Sequence, residues 1–266
     1  MGFMASWKAQ QAMRAHQKGD KEKAKLLYKE ALDKGLMEAR PMLAYALLLI
    51  REGSFEEAMA LLTKTQKAPD LTPDRKSQLF VDYAACCAKT GQLEKGIRLL
   101  EKQHERTPIG ISYQTLGYLY VEELAQGKPV ADENTVVMVP GPHTYSEPVP
   151  GEGLTVAEKQ KIDRTRKMLE DSLEYDDEAP VCLDNMGQFL YRIMGDTAAA
   201  KQWFDKAHEE KPGQIDSLWF LSRYDVENGD TAAAIEKLET AAEGNFSPLN
   251  FASKDMVLAE IERLKA

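Results

Sequence analysis

The side chains best able to ligate a metal or to carry nucleophilic and acid–base chemistry are four histidines and three cysteines: His16, His104, His143, His208, Cys86, Cys87 and Cys182. Their spacing supports neither use. No histidine has a second histidine or a cysteine at metal-ligand spacing. Cys86 and Cys87 are sequence neighbours, about 100° apart on a helix, and cannot easily bridge. An odd cysteine count without C-x-x-C argues against a disulfide framework and a zinc site, and a reducing cytoplasm is the expected compartment. No G-x-S-x-G, P-loop or G-x-G-x-x-G stretch occurs. No catalytic residue, metal ligand or cofactor is therefore expected. What remains is the chemistry of recognition by amides, aromatic rings and guanidinium groups.

The elements that position such groups must be helical. The chain has 266 residues, 43% hydrophobic and 29% charged, which suits a helix-rich protein with a substantial core. Mean hydropathy is -0.45. The longest apolar run, Met42 to Ile50, is about half the ~20 residues that cross a bilayer, so no membrane span is expected. The N-terminal stretch lacks the continuous apolar segment of a secretory signal and is expected to enter a helix near Ala5. Charge is uneven: residues 1–120 carry a net +5 and residues 121–266 a net -14, together giving -9. The positive half is mild and lacks interleaved basic and aromatic residues, so nucleic-acid binding is not expected.

An internal repeat organises the chain. GDTAAA occurs at Gly195–Ala200 and again at Gly229–Ala234, an offset of 34 residues. The same offset separates Gly19 from Gly53, and Gly91 follows Gly53 by 38. Each glycine precedes a helix with residues at i, i+4 and i+7, which share one face. These are Ala24, Tyr28, Ala31; Ala58, Leu62, Thr65; Gly96, Leu100, Gln103; Ala200, Phe204, Ala207; and Ala234, Leu238, Ala241. Small residues at the ends let a neighbouring helix approach, and the large one fills the gap between them. Before the glycines lie other helices, fullest at Tyr113–Tyr120 (YQTLGYLY) and Leu183–Leu190 (LDNMGQFL). The second sits one residue out of step with its turn glycine.

Box, turn glycine, A-x-x-x-F-x-x-A helix and closing Pro108 or Pro212, at this period, resemble the tetratricopeptide repeat family. The resemblance implies an all-α fold, a right-handed α-α superhelix of about six helix pairs plus a C-terminal capping helix. Repeats are expected near 5–38, 39–72, 77–110, 110–178, 179–212 and 215–248. In one continuous solenoid, residues 5–124 hold the first three repeats and the first helix of the fourth. Residues 125–156 form a proline-rich insertion. Residues 157–248 complete the repeats, and 249–266 cap them, with Ser247-Pro248 or Ser253 starting that helix. The family pattern weakens in places. Lys8 and Met42 stand where the box wants a large aromatic, and Asp225 replaces the closing tyrosine of the sixth repeat. Trp7, one residue off register, is placed to cover the N-terminal end.

The insertion holds Pro129, Pro140, Pro142, Pro148 and Pro150. Either it is a mobile surface loop, or it folds over the groove or a partner. Thr135–Val139 has strand character within it, and a capping box at Thr155–Glu158 restarts the helix. The acidic run Glu174–Glu178 is expected to be a solvated helix end, with an acidic binding patch as the alternative.

In this family the first helix of each pair lines the inner surface. The resemblance therefore points Gln114, Tyr118, Asn185, Gln188, Tyr191, Arg192, Trp219 and Arg223 into a concave groove. Amides there could pair with the backbone of an extended peptide, rings could cover its apolar side chains and the arginines could meet a carboxylate. Packing of Trp219 and Tyr191 between repeats is the alternative. The chaperone-binding members hold a C-terminal carboxylate with lysines and asparagines. At the matching positions this chain has Ala9, Met13, Ala44, Gln78 and Asp82, none of them cationic, so that clamp is not expected. The function expected is a scaffold or adaptor binding a protein or peptide partner. A structural or homo-oligomerising role, through the end repeats or the 125–156 insertion, is the alternative.

Overall fold

The computed structural model describes residues 2–126 and 156–266. Within them the chain is all-helical, with no strand. The insertion's prolines, His143, Thr135–Val139 and Thr155 lie outside the described residues.

The helices form two compact units, divided between Ser112 and Tyr113. The first contains α1 (Gly2–Gln17), α2 (Lys21–Asp33), α3 (Ala39–Arg51), α4 (Phe55–Thr65), α5 (Pro73–Lys89) and α6 (Leu93–His104). The second takes up most of α7 (Gly110–Ala125), then α8 (Val156–Tyr175) and α9 (Pro180–Gln188). It goes on through α10 (Thr197–Glu210), α11 (Ile215–Glu227), α12 (Thr231–Ala242) and α13 (Lys254–Lys265). Within each unit the helices pack as consecutive antiparallel pairs, α1 on α2, α3 on α4, α5 on α6, α9 on α10 and α11 on α12.

The recurrent Gly-Asp dipeptide does two jobs. Gly19, Gly195 and Gly229 take φ of 78°, 74° and 81°, the left-handed region where only glycine avoids a steric cost. The aspartate that follows each accepts from the backbone N–H three residues on: Asp20 from Lys23 at 3.2 Å, Asp196 from Ala199 at 2.9 Å and Asp230 from Ala233 at 3.0 Å. One residue ends a helix and the next starts another. Thr72 and Ser253 cap α5 and α13 in the same way. Residues 249–252 precede α13 and are not helical.

The i, i+4, i+7 triplets form the seams. Ala24, Tyr28, Ala31, Ala200, Phe204, Ala207, Ala234, Leu238 and Ala241 are all fully buried. In the second unit Phe204 stacks on Phe220 with ring centroids 4.8 Å apart and an interplanar angle of 6°. In the first, Tyr28 stacks on Tyr45 at 4.9 Å. Gln103 is an exception in chemistry rather than position: it is buried, and its amide donates to Ser77 Oγ at 3.1 Å. At the start of α1, Phe3, Met4 and Trp7 are exposed, Trp7 by 45%.

The register slip of the fifth repeat has a structural cause. After Gln188 the α-helix continues as a π-helix, Phe189–Met194, to Gly195. A π turn accommodates one extra residue, which is the one by which the box and its glycine are out of step. Tyr191 and Arg192 lie within this π-helix.

Candidate functional site

The recognition chemistry of the second unit gathers on its first helices, α7, α9 and α11. Arg192 is 2% exposed. Its Nη1 donates to Glu122 Oε1 on α7 at 2.6 Å and to Gln188 Oε1 at 2.9 Å. Gln188 Nε2 donates in turn to Asp184 at 2.7 Å, and Ser217 Oγ donates to the other oxygen of Asp184 at 2.6 Å. On α11 Asp216 lies buried in the first turn. Burial pushes the carboxyls of Asp184 and Asp216 above the usual carboxylate range, and the neighbouring charge of Asp216 adds to the rise at Asp184.

A segment of the chain itself lies on this face. The backbone N–H groups of Phe251 and Ala252 each donate to Asp216, to Oδ2 and Oδ1 respectively, both at 3.0 Å. Asn250 Nδ2 donates to the same carboxylate at 3.1 Å. The Tyr118 hydroxyl on α7 donates to the Asn250 carbonyl at 3.4 Å. The Arg192 guanidinium sits 4.2 Å from the centroid of the Phe251 ring, a cation–π distance, while Phe220 packs against that ring at 5.1 Å. Backbone donors, a backbone carbonyl and one aromatic side chain are thus each read by a different residue of the three helices.

The residues that the sequence points into a groove are placed as follows. Tyr118 and Arg192 touch the segment, and Gln188 supports Arg192. Asn185 donates to the Gln114 carbonyl at 2.8 Å and ties α9 to α7. Tyr191 packs among Phe204, Phe220 and Tyr224 in the seam. Trp219 is fully buried under Arg223, whose guanidinium lies 4.4 Å from its ring and whose Nη1 donates to Glu260 on α13 at 2.5 Å. All of these except Gln114 are buried. Sequence reasoning missed Asp184, Asp216 and the Asn250–Ala252 segment. Asp184 and Asp216 on the packed faces of first helices were the available signal, because a buried acidic residue needs donors.

The first unit has one comparable group. Asp82 is buried and accepts from Gln78 Nε2 at 2.8 Å. Burial lifts its pKa from 3.8 to about 7, and the Gln78 bond offsets only part of that. Because the folded value is the higher one, Asp82 favours folding at low pH and loses that contribution as pH rises from 3.8 through about 7. Asp82→Asn should therefore stabilise the chain more at pH 8 than at pH 5, by a margin on the order of 1–3 kcal/mol. Urea unfolding at both pH values checks it; an equal gain at each would show that Asp82 is not the titrating group.

Among the described residues no three His, Cys, Asp or Glu side chains converge as a metal site, and the three cysteines are free and buried. No described helix is long and apolar enough to cross a membrane.

Comparison with known proteins agrees with this architecture. Residues 8–72 match the family model described as tetratrico peptide repeat. No curated protein matches in sequence. Among solved structures, a thermophilic TPR protein of Thermus thermophilus superposes with a TM-score of 0.60 at 14% identity, covering 85% of this chain and 98% of that one. Pseudomonas aeruginosa pilF gives 0.55 at 15% identity over 97% of both chains. A tetratricopeptide repeat protein from Parabacteroides merdae gives 0.50 at 12% over the whole of both. At such identities the likeness speaks for the fold: residues 8–72 match the tetratricopeptide repeat model, and the described chain has the fold of tetratricopeptide repeat proteins.

Proposed function

We propose that this protein is a binding scaffold whose partner lays an extended segment on the first-helix face of the second unit. The observation that supports it is the way Asp216, Tyr118 and Arg192 hold residues 250–252. Two successive main-chain N–H groups on one buried carboxylate is recognition of backbone, and a ring under a guanidinium is recognition of one side chain. A scaffold of this kind needs no catalytic group. Buried free thiols fit the cytoplasm as its place of work.

A photoreactive peptide library selected against the intact chain tests this. Selected segments should cross-link to α7, α9 and α11. Cross-links confined to the second helices or to the first unit would remove the face from consideration. The exposed Phe3, Met4 and Trp7 favour a second reading, self-association through α1. Light scattering of the wild type beside Phe3→Ser, Trp7→Ser separates the two, since only a dimer built on α1 would be lost in that variant.

A further inference from the structure

We propose that residues 250–252 are an exchangeable intramolecular ligand. They fill the first-helix face of the second unit until a partner segment of like pattern displaces them: a side-chain amide, then an aromatic, then a small residue. The inference rests on the function proposed above and names both the regulation of that face and the chemistry of what it takes.

Several independent features separate this segment from ordinary core. Its floor is polar: Tyr118, Asp184, Gln188, Arg192, Asp216 and Ser217 are all buried, where a permanent contact would be served as well or better by apolar residues of similar size. The segment is irregular backbone between the end of α12 at Ala242 and the start of α13 at Lys254, so lifting it breaks no helix. Asn250 and Phe251 are only half-buried and solvent already reaches them, while Ala252 is fully buried and anchors the segment's end in the core. The Tyr118 bond to Asn250 is long at 3.4 Å.

The flanking helix is anchored without the segment. Val257 and Ile261 are buried in the core of the second unit, and Glu260 pairs with both Arg223 and Arg263. The segment can leave while both of its ends stay fixed. Departure would strip Asp216 of three donors, so a replacement must bring main-chain N–H groups of its own and a ring for Arg192. An extended partner strand meets those needs; a helix, whose interior N–H groups are already bonded, does not.

The test uses the full chain carrying Phe251→Ala and a fluorescent peptide spanning residues 245–253, read by anisotropy. The variant should bind the peptide about tenfold or more tightly than wild type does, because its own segment competes less. Adding Asp216→Asn to that variant should weaken binding by about tenfold. A folded Phe251→Ala chain that binds the peptide no better than wild type overturns the exchangeable ligand, and binding to neither chain overturns the functional reading as well. Hydrogen exchange on the wild type supplies a measurement independent of any variant. The Phe251 and Ala252 amides should exchange through local opening, well ahead of the α11 interior. Exchange in step with α11 overturns the exchangeable ligand; if the variant nevertheless binds the peptide, the face still stands as a segment receptor.

Discussion

Arg192→Ala should lower the stability of the protein by about 2–4 kcal/mol, because Arg192 is buried while its partner Glu122 is 27% exposed and partly screened by solvent. Arg192 is the guanidinium that faces the polar floor of the second unit. It bonds Glu122 and Gln188, bears on Phe251 and lies close enough to Asp184 and Asp216 to favour their charged forms. Without it Glu122, Asp184 and Asp216 lose the cation they share. Much of the loss therefore comes from what is left behind rather than from the bonds themselves. The double variant Arg192→Met, Glu122→Gln keeps the packed stem and removes both charges of the pair, so it should cost distinctly less than the alanine variant. Denaturant unfolding at neutral pH measures both. A loss under about 1 kcal/mol for Arg192→Ala would mean that water already screens the network.

Phe204→Ala should cost a similar ~3–5 kcal/mol, since it opens a cavity at the fully buried centre of the α9–α10–α11 seam and removes the stack on Phe220. The same ring explains Gly187. A Cβ at that position would stand 2.6 Å from Phe204 Cε1 and 2.7 Å from Cδ1, well inside contact distance. Phe204 is pinned between Phe220 and Tyr191 and cannot swing away. Gly187→Ala alone should cost about 1–3 kcal/mol by overpacking. Combined with Phe204→Ala, the added methyl enters the vacated space, and the pair should cost clearly less than the sum of the two single changes. Strict additivity would contradict the direct contact between residue 187 and the ring.

These two cases show how much the sequence discloses. The 34-residue period and the triplet Ala200, Phe204, Ala207 identify the seam because every repeat solves the same packing problem, so the solution recurs in the letters. The box glycine follows from the same geometry. Even the π turn left a trace, as the single-residue slip between Leu183–Leu190 and Gly195. The candidate face is legible only in part. Helical period says which side of α9 and α11 carries Gln188, Arg192 and Arg223, but not what covers that side. The covering segment bonds Asp216 across 34 to 36 residues of sequence through irregular backbone, which has no period to read. Tyr191 lies on the π turn and packs in the seam, and Trp219 is buried beneath Arg223, placements that helical period alone does not distinguish from exposure in a groove. The capping helix likewise starts at Lys254 because Ser253 is the residue that accepts from Met256 N–H, leaving 250–252 free for another use.

Competition on the Phe251→Ala chain tests the central claim most directly. A segment selected against the intact protein would be titrated calorimetrically, with and without saturating peptide 245–253. One shared face predicts that the peptide abolishes the heat of binding or weakens the apparent affinity in proportion to its concentration. Unchanged affinity, with both occupants bound at once, would contradict it.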